Sequence, residues 1–374
     1  MRIPLARPSV GAAEVAAVTG VIESGWLGLG PVAARFEARV ASFVGAGHAV
    51  AVSSGTAALH LALEAAGVGG GEVIVPSLTY AATVQAILAA RATPVFAECH
   101  EQDLCLDVAD AARRVSPRTR AIVPVHYGGR PVDMSALLAV ARERGLTVVE
   151  DAAHAFGSTF DGRRIGGFGD LTCFSFDPIK TVTCGEGGAI CTGTDMLAER
   201  LRRLRRLGMA RPRRRRREPV AAPDEVIEPG YRCHLSDVFA AVGLAQLDRV
   251  DRLFEARRQV ARRYDRALRG VPGLTLLRHD LGAEVPFCYT VRVARERREG
   301  FRRWLARHGV ETGVLYPPNH LQPAFRRFTT ALPVTEAVGA ECVSLPLFAG
   351  MTDVEVDHVI DRVCSYGQRH DLPV

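Results

Sequence analysis

The sequence predicts an α/β protein, with a large domain built on a mostly parallel seven-stranded sheet and a smaller C-terminal α+β domain. Between residue 45 and about 195, seven short apolar runs alternate with helical patterns, the order that builds a parallel sheet. Several of these runs are apolar on both faces, as strands covered on both sides are. From about residue 245 the alternation gives way to a different mixture of helix and strand. The expected division is therefore 1–244 and 245–374.

The strand candidates are 49–53, 72–76, 93–98, 120–126, 146–151, 171–176 and 187–192, the last two being candidates to run antiparallel. Helical patterns lie between them. In 55-GTAALHLALEAAG-67, Leu59, Ala62, Leu63 and Ala66 fall at i, i+3, i+4 and i+7, one face of a helix; 133–145 is another. Beyond these, 236–268 reads as one long helix. It is followed by a strand at 287–294, a helix at 298–309, a strand at 310–316 and a helix at 352–366.

Hydrophobic residues make up 48% of the chain, enough for a sizeable core. No run approaches the roughly 18 apolar residues of a membrane span, and 1-MRIPLARPSVG-11 lacks the apolar centre of a secretory signal. The nine Cys are scattered with no CxxC pair, so neither a zinc site nor a disulfide framework is expected. They read as reduced thiols of a cytoplasmic protein. The net charge of +6 is concentrated in 202-RRLRRLGMARPRRRRR-217. That run reads first as a solvated, mobile basic loop and second as a contact for an anionic small substrate such as a sugar diphosphate. No recognition motif or interleaved aromatic accompanies it, so nucleic acid is not an expected partner.

Of the 47 Lys plus Arg residues, one is lysine: Lys180, in 174-FSFDPIKTVTCGEGG-188. Surface charge can be carried by either residue. An amine that must lose its proton and form a Schiff base cannot be Arg, which stays charged at all ordinary pH. A chain that otherwise uses Arg throughout and keeps Lys here points to amine chemistry.

Three further stretches bear on the same chemistry. In 53-SSGTAALHLAL-63 a strand ends and a helix begins. Gly55 allows close backbone approach, and the helix N-terminus with Ser54 and Thr56 suits a phosphate, although Ser and Thr are equally good helix caps. In 150-EDAAHAFGS-158, Asp151 ends an apolar strand, at the edge where α/β sheets bind ligands. It can pair with a protonated ring nitrogen or cap the following turn. In 76-PSLTYAAT-83, Tyr80 is either a core aromatic or a stacking partner for a flat ring. Ser175 offers another hydroxyl for the phosphate, while Asp177 has no assigned role. A Lys, an Asp, a phosphate cradle and a flat neighbour are together what pyridoxal 5'-phosphate (PLP) requires.

The series SSGTAALHLAL, VPSLTY, PVHYGG, VEDAAHAFGS, FSFDPIK, CGEGG, PGYRCHLSD and YPPNHLQPAF resembles, in this order and nearly end to end, the DegT/DnrJ/EryC1/StrS family of sugar aminotransferases. These are PLP-dependent enzymes of fold type I, the aspartate aminotransferase fold. The resemblance implies that Lys180 forms the Schiff base and moves the proton, that Asp151 holds the ring nitrogen, and that Tyr80 stacks on the ring. It implies phosphate contacts from Gly55, Thr56 and Ser175. His154 stands where the family has Gln or His against the ring. The segment 229–237 resembles the loop that reaches the phosphate of the neighbouring subunit; many members carry Asn where this chain has Arg232, and a cation there still suits a phosphate. Tyr316 and His320 match positions near the sugar. A homodimer with active sites at its interface is implied as well.

Some relatives carry His in place of the Lys and remove a hydroxyl, so Lys180 argues against that branch. The stretches SGWLGLGP, PVHYGGRPVDM and FSFDPIKTVTCGEGG look most like members that aminate C4 of nucleotide-linked 4-keto sugars, with an L-glutamate or L-glutamine donor. Members acting on C3 or on a cyclitol ketone are the alternative. A non-catalytic regulator of the same fold is an alternative of another class.

Overall fold

The computed structural model describes residues 1–210 and 224–369. Of the run 202–217, expected as a solvated, mobile basic loop, residues 211–217 lie outside the described residues, whereas Arg202 and Arg203 belong to the helix Asp195–Leu204 and Arg205 is buried with its guanidinium on Glu37, so this half of the run is ordered structure. Helices α1 (Ala12–Ser24) and α2 (Pro31–Val44) lead into β1 (His48–Val52). Then come α3 (Gly55–Ala65), β2 (Glu72–Pro76), α4 (Ala81–Ala89), β3 (Thr93–Ala97), α5 (Val108–Arg113) and β4 (Thr119–Ile122). α6 (Met134–Arg144), β5 (Thr147–Asp151), β6 (Leu171–Ser175), β7 (Gly188–Thr192) and α7 (Asp195–Leu204) complete this part.

The seven strands form one sheet in the order β1-β7-β6-β5-β4-β2-β3. Every neighbouring pair is parallel except the two made by β7, so of the two antiparallel candidates only the second reverses direction. Alternate residues serve opposite faces, as the strand period requires. Ala49 and Ala51 of β1 pack with Phe36 and Val40 of α2, while Val50 and Val52 pack with Leu59 and Ala62 of α3. Fully burying an aliphatic or aromatic side chain of this kind contributes about 1.5–3 kcal/mol, which is why these strands tolerate no polar face.

The single helix expected over 236–268 is two: α8 (Asp237–Leu247) and α9 (Val250–Ala267). The break lies at Arg249, whose backbone (φ −125°, ψ 21°) leaves the helical region. Its guanidinium reaches Glu14 at 2.7 Å, and Gln246 donates to the same carboxylate at 2.7 Å. These contacts fasten α1 and offset the lost helical turn. Asp237 at the start of α8 is almost fully buried and accepts the N–H groups of Gly30 (2.9 Å), Val32 (3.1 Å) and Ala33 (2.8 Å). It thereby caps α2 from across the chain.

The remainder carries an antiparallel sheet of β8 (Leu274–Leu276), β9 (Tyr289–Val293) and β10 (Cys342–Leu345), with α10 (Arg295–Arg307), α11 (Pro333–Glu341) and α12 (Asp353–Arg369). A separate apolar cluster gathers Tyr264, Tyr289, Phe301, Val343, Phe348 and Val359, and it also takes Ile3 from the N-terminus. Ile3 donates its N–H to Gly309 (2.7 Å) and accepts from Glu311 (3.0 Å). The stretch 310–316, expected as a strand, makes only isolated bridges, to Ile3 and Ser344. Among the described residues no helix is long and apolar enough to cross a membrane.

Candidate active site

A cavity of about 410 Å³ opens at the carboxyl ends of the central strands. Of the sequence-predicted residues, Ser54, Gly55, Thr56, Tyr80, Asp151, His154, Ser175 and Lys180 all line it. Two much larger cavities, of about 700 and 1050 Å³, lie on either side of α2. Neither brings a buried amine and a buried acid together, so the smaller one carries the chemistry.

The end of the cavity suited to a phosphate is built by β1, α3 and β6. Ser54 caps α3, its oxygen accepting from the N–H of Ala57 at 3.1 Å, so the capping reading of this residue holds; its hydroxyl proton remains available. The N–H groups of Gly55 and Thr56, in the first turn, have no partner within the helix and sit where the helix dipole favours an anion. A Cβ on Gly55 would lie 2.6 Å from the Cβ of Ser175 and 2.9 Å from its hydroxyl. Only glycine lets α3 approach the end of β6 this closely. Gly55→Ala is therefore expected to push these walls apart and weaken PLP binding more than tenfold, measured by titration of the PLP-free protein.

Asp151 is the last residue of β5 and almost fully buried. Its Oδ2 accepts the Thr83 hydroxyl at 2.6 Å and its Oδ1 the N–H of Ala153 at 3.2 Å. Burial pushes its carboxyl up, opposed by the Thr83 and Ala153 hydrogen bonds and by Lys180 and His126. An acid held this way gains when a cation is set against it. The Thr83 hydroxyl in turn meets that of Thr79 at 2.9 Å.

His154 stacks on Phe287, with ring centroids 4.0 Å apart and planes at 13°. Its Nδ1 accepts the N–H of Gly128 at 3.3 Å, which assigns the proton to Nε2, 3.1 Å from the Tyr316 hydroxyl. Burial, then the charge of Lys180, holds it well below the usual imidazole range, so the ring is neutral. The Tyr80 ring, 58% exposed, lies 5.3 Å from that of Tyr316 and leaves a flat face toward the cavity.

Lys180 Nζ lies 3.9 Å from Asp177 Oδ2 and 4.4 Å from the centre of the Phe287 ring. Burial lowers its pKa from the ordinary lysine value, while the carboxylates of Asp177 and then Asp151 raise it.

Three predicted residues do not line the cavity: His320, Arg232 and Tyr316, whose hydroxyl stands 3.1 Å from His154 Nε2. His320 is fully buried: Nδ1 meets the Ser77 hydroxyl at 2.6 Å and Nε2 meets Glu336 at 3.3 Å. With both nitrogens engaged, it braces the 77–79 loop instead of facing a sugar, helped by Asn319, whose amide donates to the carbonyls of Ser77 and Thr79. Arg232 is exposed and off the cavity wall of its own chain. Sequence reasoning missed Thr83 and Phe287. The first was legible in principle, since it stands three residues after Tyr80, one turn along the same helix; Phe287 lies too far along the chain for any local pattern to bring it here.

The cavity fits PLP by its own features: a cradle that a Cβ would fill, hydroxyl and N–H donors at a helix N-terminus, a buried carboxylate and a buried amine. An open α/β sheet carrying this set at its carboxyl edge defines a PLP-dependent enzyme. Comparison with known proteins narrows the class. The model of the DegT/DnrJ/EryC1/StrS aminotransferase family matches residues 8–364. The spore coat polysaccharide biosynthesis protein SpsC of Bacillus subtilis (strain 168) is 41% identical, with 96% of each chain covered. The crystal structure of S. venezuelae DesV in complex with a ketimine intermediate is 39% identical, with a TM-score of 0.87 over 96% of this chain and 95% of that one. The PMP form of Spr1654, a putative sugar aminotransferase from Streptococcus pneumoniae, is 28% identical, with a TM-score of 0.94 over 98% of this chain and all of that one. The chain belongs to the DegT/DnrJ/EryC1/StrS aminotransferase family, and it is a PLP-dependent aminotransferase.

Proposed function

We propose that this aminotransferase moves an amino group from L-glutamate or L-glutamine to the C4 keto group of a nucleotide-activated deoxysugar. The observation that carries the reading is the chain's one lysine, buried in a cavity whose acid, anion cradle and flat face all converge on it. When bound, PLP supplies the carbonyl carbon that takes up the amine and a ring that draws off electrons. Lys180 Nζ removes the proton from the donor Cα and returns one to the sugar carbon. Asp151 would hold a proton on the ring nitrogen, Ser175 and the start of α3 would anchor the phosphate, and the neutral His154 and Tyr80 would pack against the ring. The C4 assignment rests on the stretches SGWLGLGP, PVHYGGRPVDM and FSFDPIKTVTCGEGG. Incubating the donor-treated protein with nucleotide-linked 4-keto sugars, 3-keto sugars and a cyclitol ketone tests it: only the 4-keto sugar should restore the visible band of lysine-bound PLP. Restoration by a 3-keto sugar or the cyclitol alone moves the substrate accordingly.

The reading includes a homodimer with shared sites, supported by charge. Among the described residues lining the cavity, Asp151, Asp177 and Glu186 are acidic and Lys180 is the one cation, yet the cofactor phosphate, the donor's α-carboxylate and the sugar's diphosphate are all anionic groups. Arg232, off its own cavity, suits the partner's. An apolar groove between α1, α2 and α8, lined by Ala13, Ala17, Val21, Val32 and Leu244, suits a second copy. A mixed dimer of one Lys180→Arg chain and one Arg232→Ala chain is then expected to recover one whole site, although either homodimer is impaired. A mixed dimer no more active than the Arg232→Ala homodimer would place Arg232 in its own chain's chemistry.

A further inference from the structure

Asp177 lines the cavity and the reaction outlined above leaves it without a part. Its geometry is specific. The turn 177–180 closes with the N–H of Lys180 donating to the Asp177 carbonyl at 3.2 Å. Asp177 Oδ1 accepts the N–H of Ile179 at 2.9 Å. That bond fixes the carboxylate plane and turns Oδ2 toward Lys180 Nζ, 3.9 Å away. The same Nζ stands over the face of Phe287 at 4.4 Å, and Phe287 is itself held by the stacked ring of His154. The Asp177 side chain is 33% exposed against 9% for Lys180, so the carboxylate meets water far more than the lysine side chain does.

We infer that Asp177 is a positioning residue whose carboxylate, together with the face of Phe287, forms a dock for the Lys180 ammonium whenever the amine is not engaged by cofactor. The inference rests on Lys180 being the reacting amine and adds what happens to it between engagements. A lysine on a four-carbon stem loses position readily once released. An ion pair at 3.9 Å, longer than a tight charge-assisted hydrogen bond, steers the ammonium without trapping it. A cation over an aromatic face adds a second weak restraint. The half-exposed carboxylate also links the buried amine to solvent for proton exchange.

The dock sets the protonation of Lys180 against the other groups facing it. Burial and Arg257 of α9 favour the neutral amine, while Asp177, Asp151 and Cys288 favour the ammonium. Burial pushes the Cys288 thiol up, and His154 is neutral. Cys288 and His154 therefore bring no charge near neutral pH, and Asp177 and Asp151 are the two anions that matter.

The chain's having one lysine makes the test direct. Full-length protein loaded with pyridoxamine phosphate, which has no aldehyde to engage the amine, is labelled with trace acetic anhydride across a pH series. Mass spectrometry of the peptide containing Lys180 reads the rate. Asp177→Asn keeps the acceptor for the Ile179 N–H, so the turn survives, and removes the charge. Its Lys180 should label about fivefold faster at neutral pH, the factor that a unit charge about 4 Å away gives in a water-like dielectric. Its labelling midpoint should move to lower pH, and Asp177→Glu should restore the wild-type profile. Identical profiles for wild type and Asp177→Asn would overturn the dock, as would failure of Glu to rescue. Neither outcome bears on whether Lys180 is essential, which Lys180→Arg tests separately.

Discussion

Lys180→Arg keeps its positive charge and loses turnover. A guanidinium cannot give up its proton near neutral pH, so it neither adds to the PLP carbonyl nor carries a proton from the donor Cα. Loss of general acid–base transfer alone costs about 10² to 10⁴ in rate, and loss of the covalent step adds to it. Steady-state amino transfer with saturating PLP reads the effect. The fold should survive, because Lys180 donates no hydrogen bond from its side chain among those described and its neighbours Asp177 and Phe287 tolerate a cation. Near-wild-type activity of Lys180→Arg would remove the amine from the chemistry.

Asp151→Asn should slow transfer by on the order of 10²-fold or more, the scale on which a preorganised electrostatic partner acts. An amide cannot balance a positive ring nitrogen. The same change should behave oppositely in the PLP-free protein. Burial raises the folded-state pKa of Asp151. Whatever stability this group contributes is therefore present below its unfolded pKa and lost as pH rises through the folded value. At neutral pH the ionised acid is a burden on the PLP-free fold, and Asn removes it while still accepting the Thr83 hydroxyl. The PLP-free Asp151→Asn protein is expected to melt no lower than wild type at pH 7, and the difference should shrink as the pH falls through the carboxylate range. A lower melting temperature at pH 7, with activity intact, would contradict both halves.

The sheet was legible because several of its strands are apolar on both faces, a pattern that leaves a short run few other places in a fold. Asp151 could be placed at the carboxyl edge for the same reason, since it is the polar residue that ends such a run. The break at Arg249 was not legible: the apolar rhythm runs through it, and the turn is offset by Glu14, more than two hundred residues earlier. Ile3 was assigned to the first part of the chain yet is buried in the C-terminal cluster, because pairing with Gly309 and Glu311 outweighs sequence proximity. His320 shows the limit of motif transfer. Its position matched a pattern, but where its ring points depends on Ser77 and Glu336, and no local sequence states that. Phe287 belongs to the same kind of information, a contact between elements that local spacing does not encode.

The central claim is that the buried Lys180 engages PLP and hands amino groups on. The absorbance spectrum of the purified protein with PLP, before and after L-glutamate or L-glutamine, tests it most directly. The account predicts a visible band of lysine-bound PLP that falls on adding the donor while the pyridoxamine phosphate band grows. A protein that shows no lysine-bound band, or whose band ignores both donors, would contradict it.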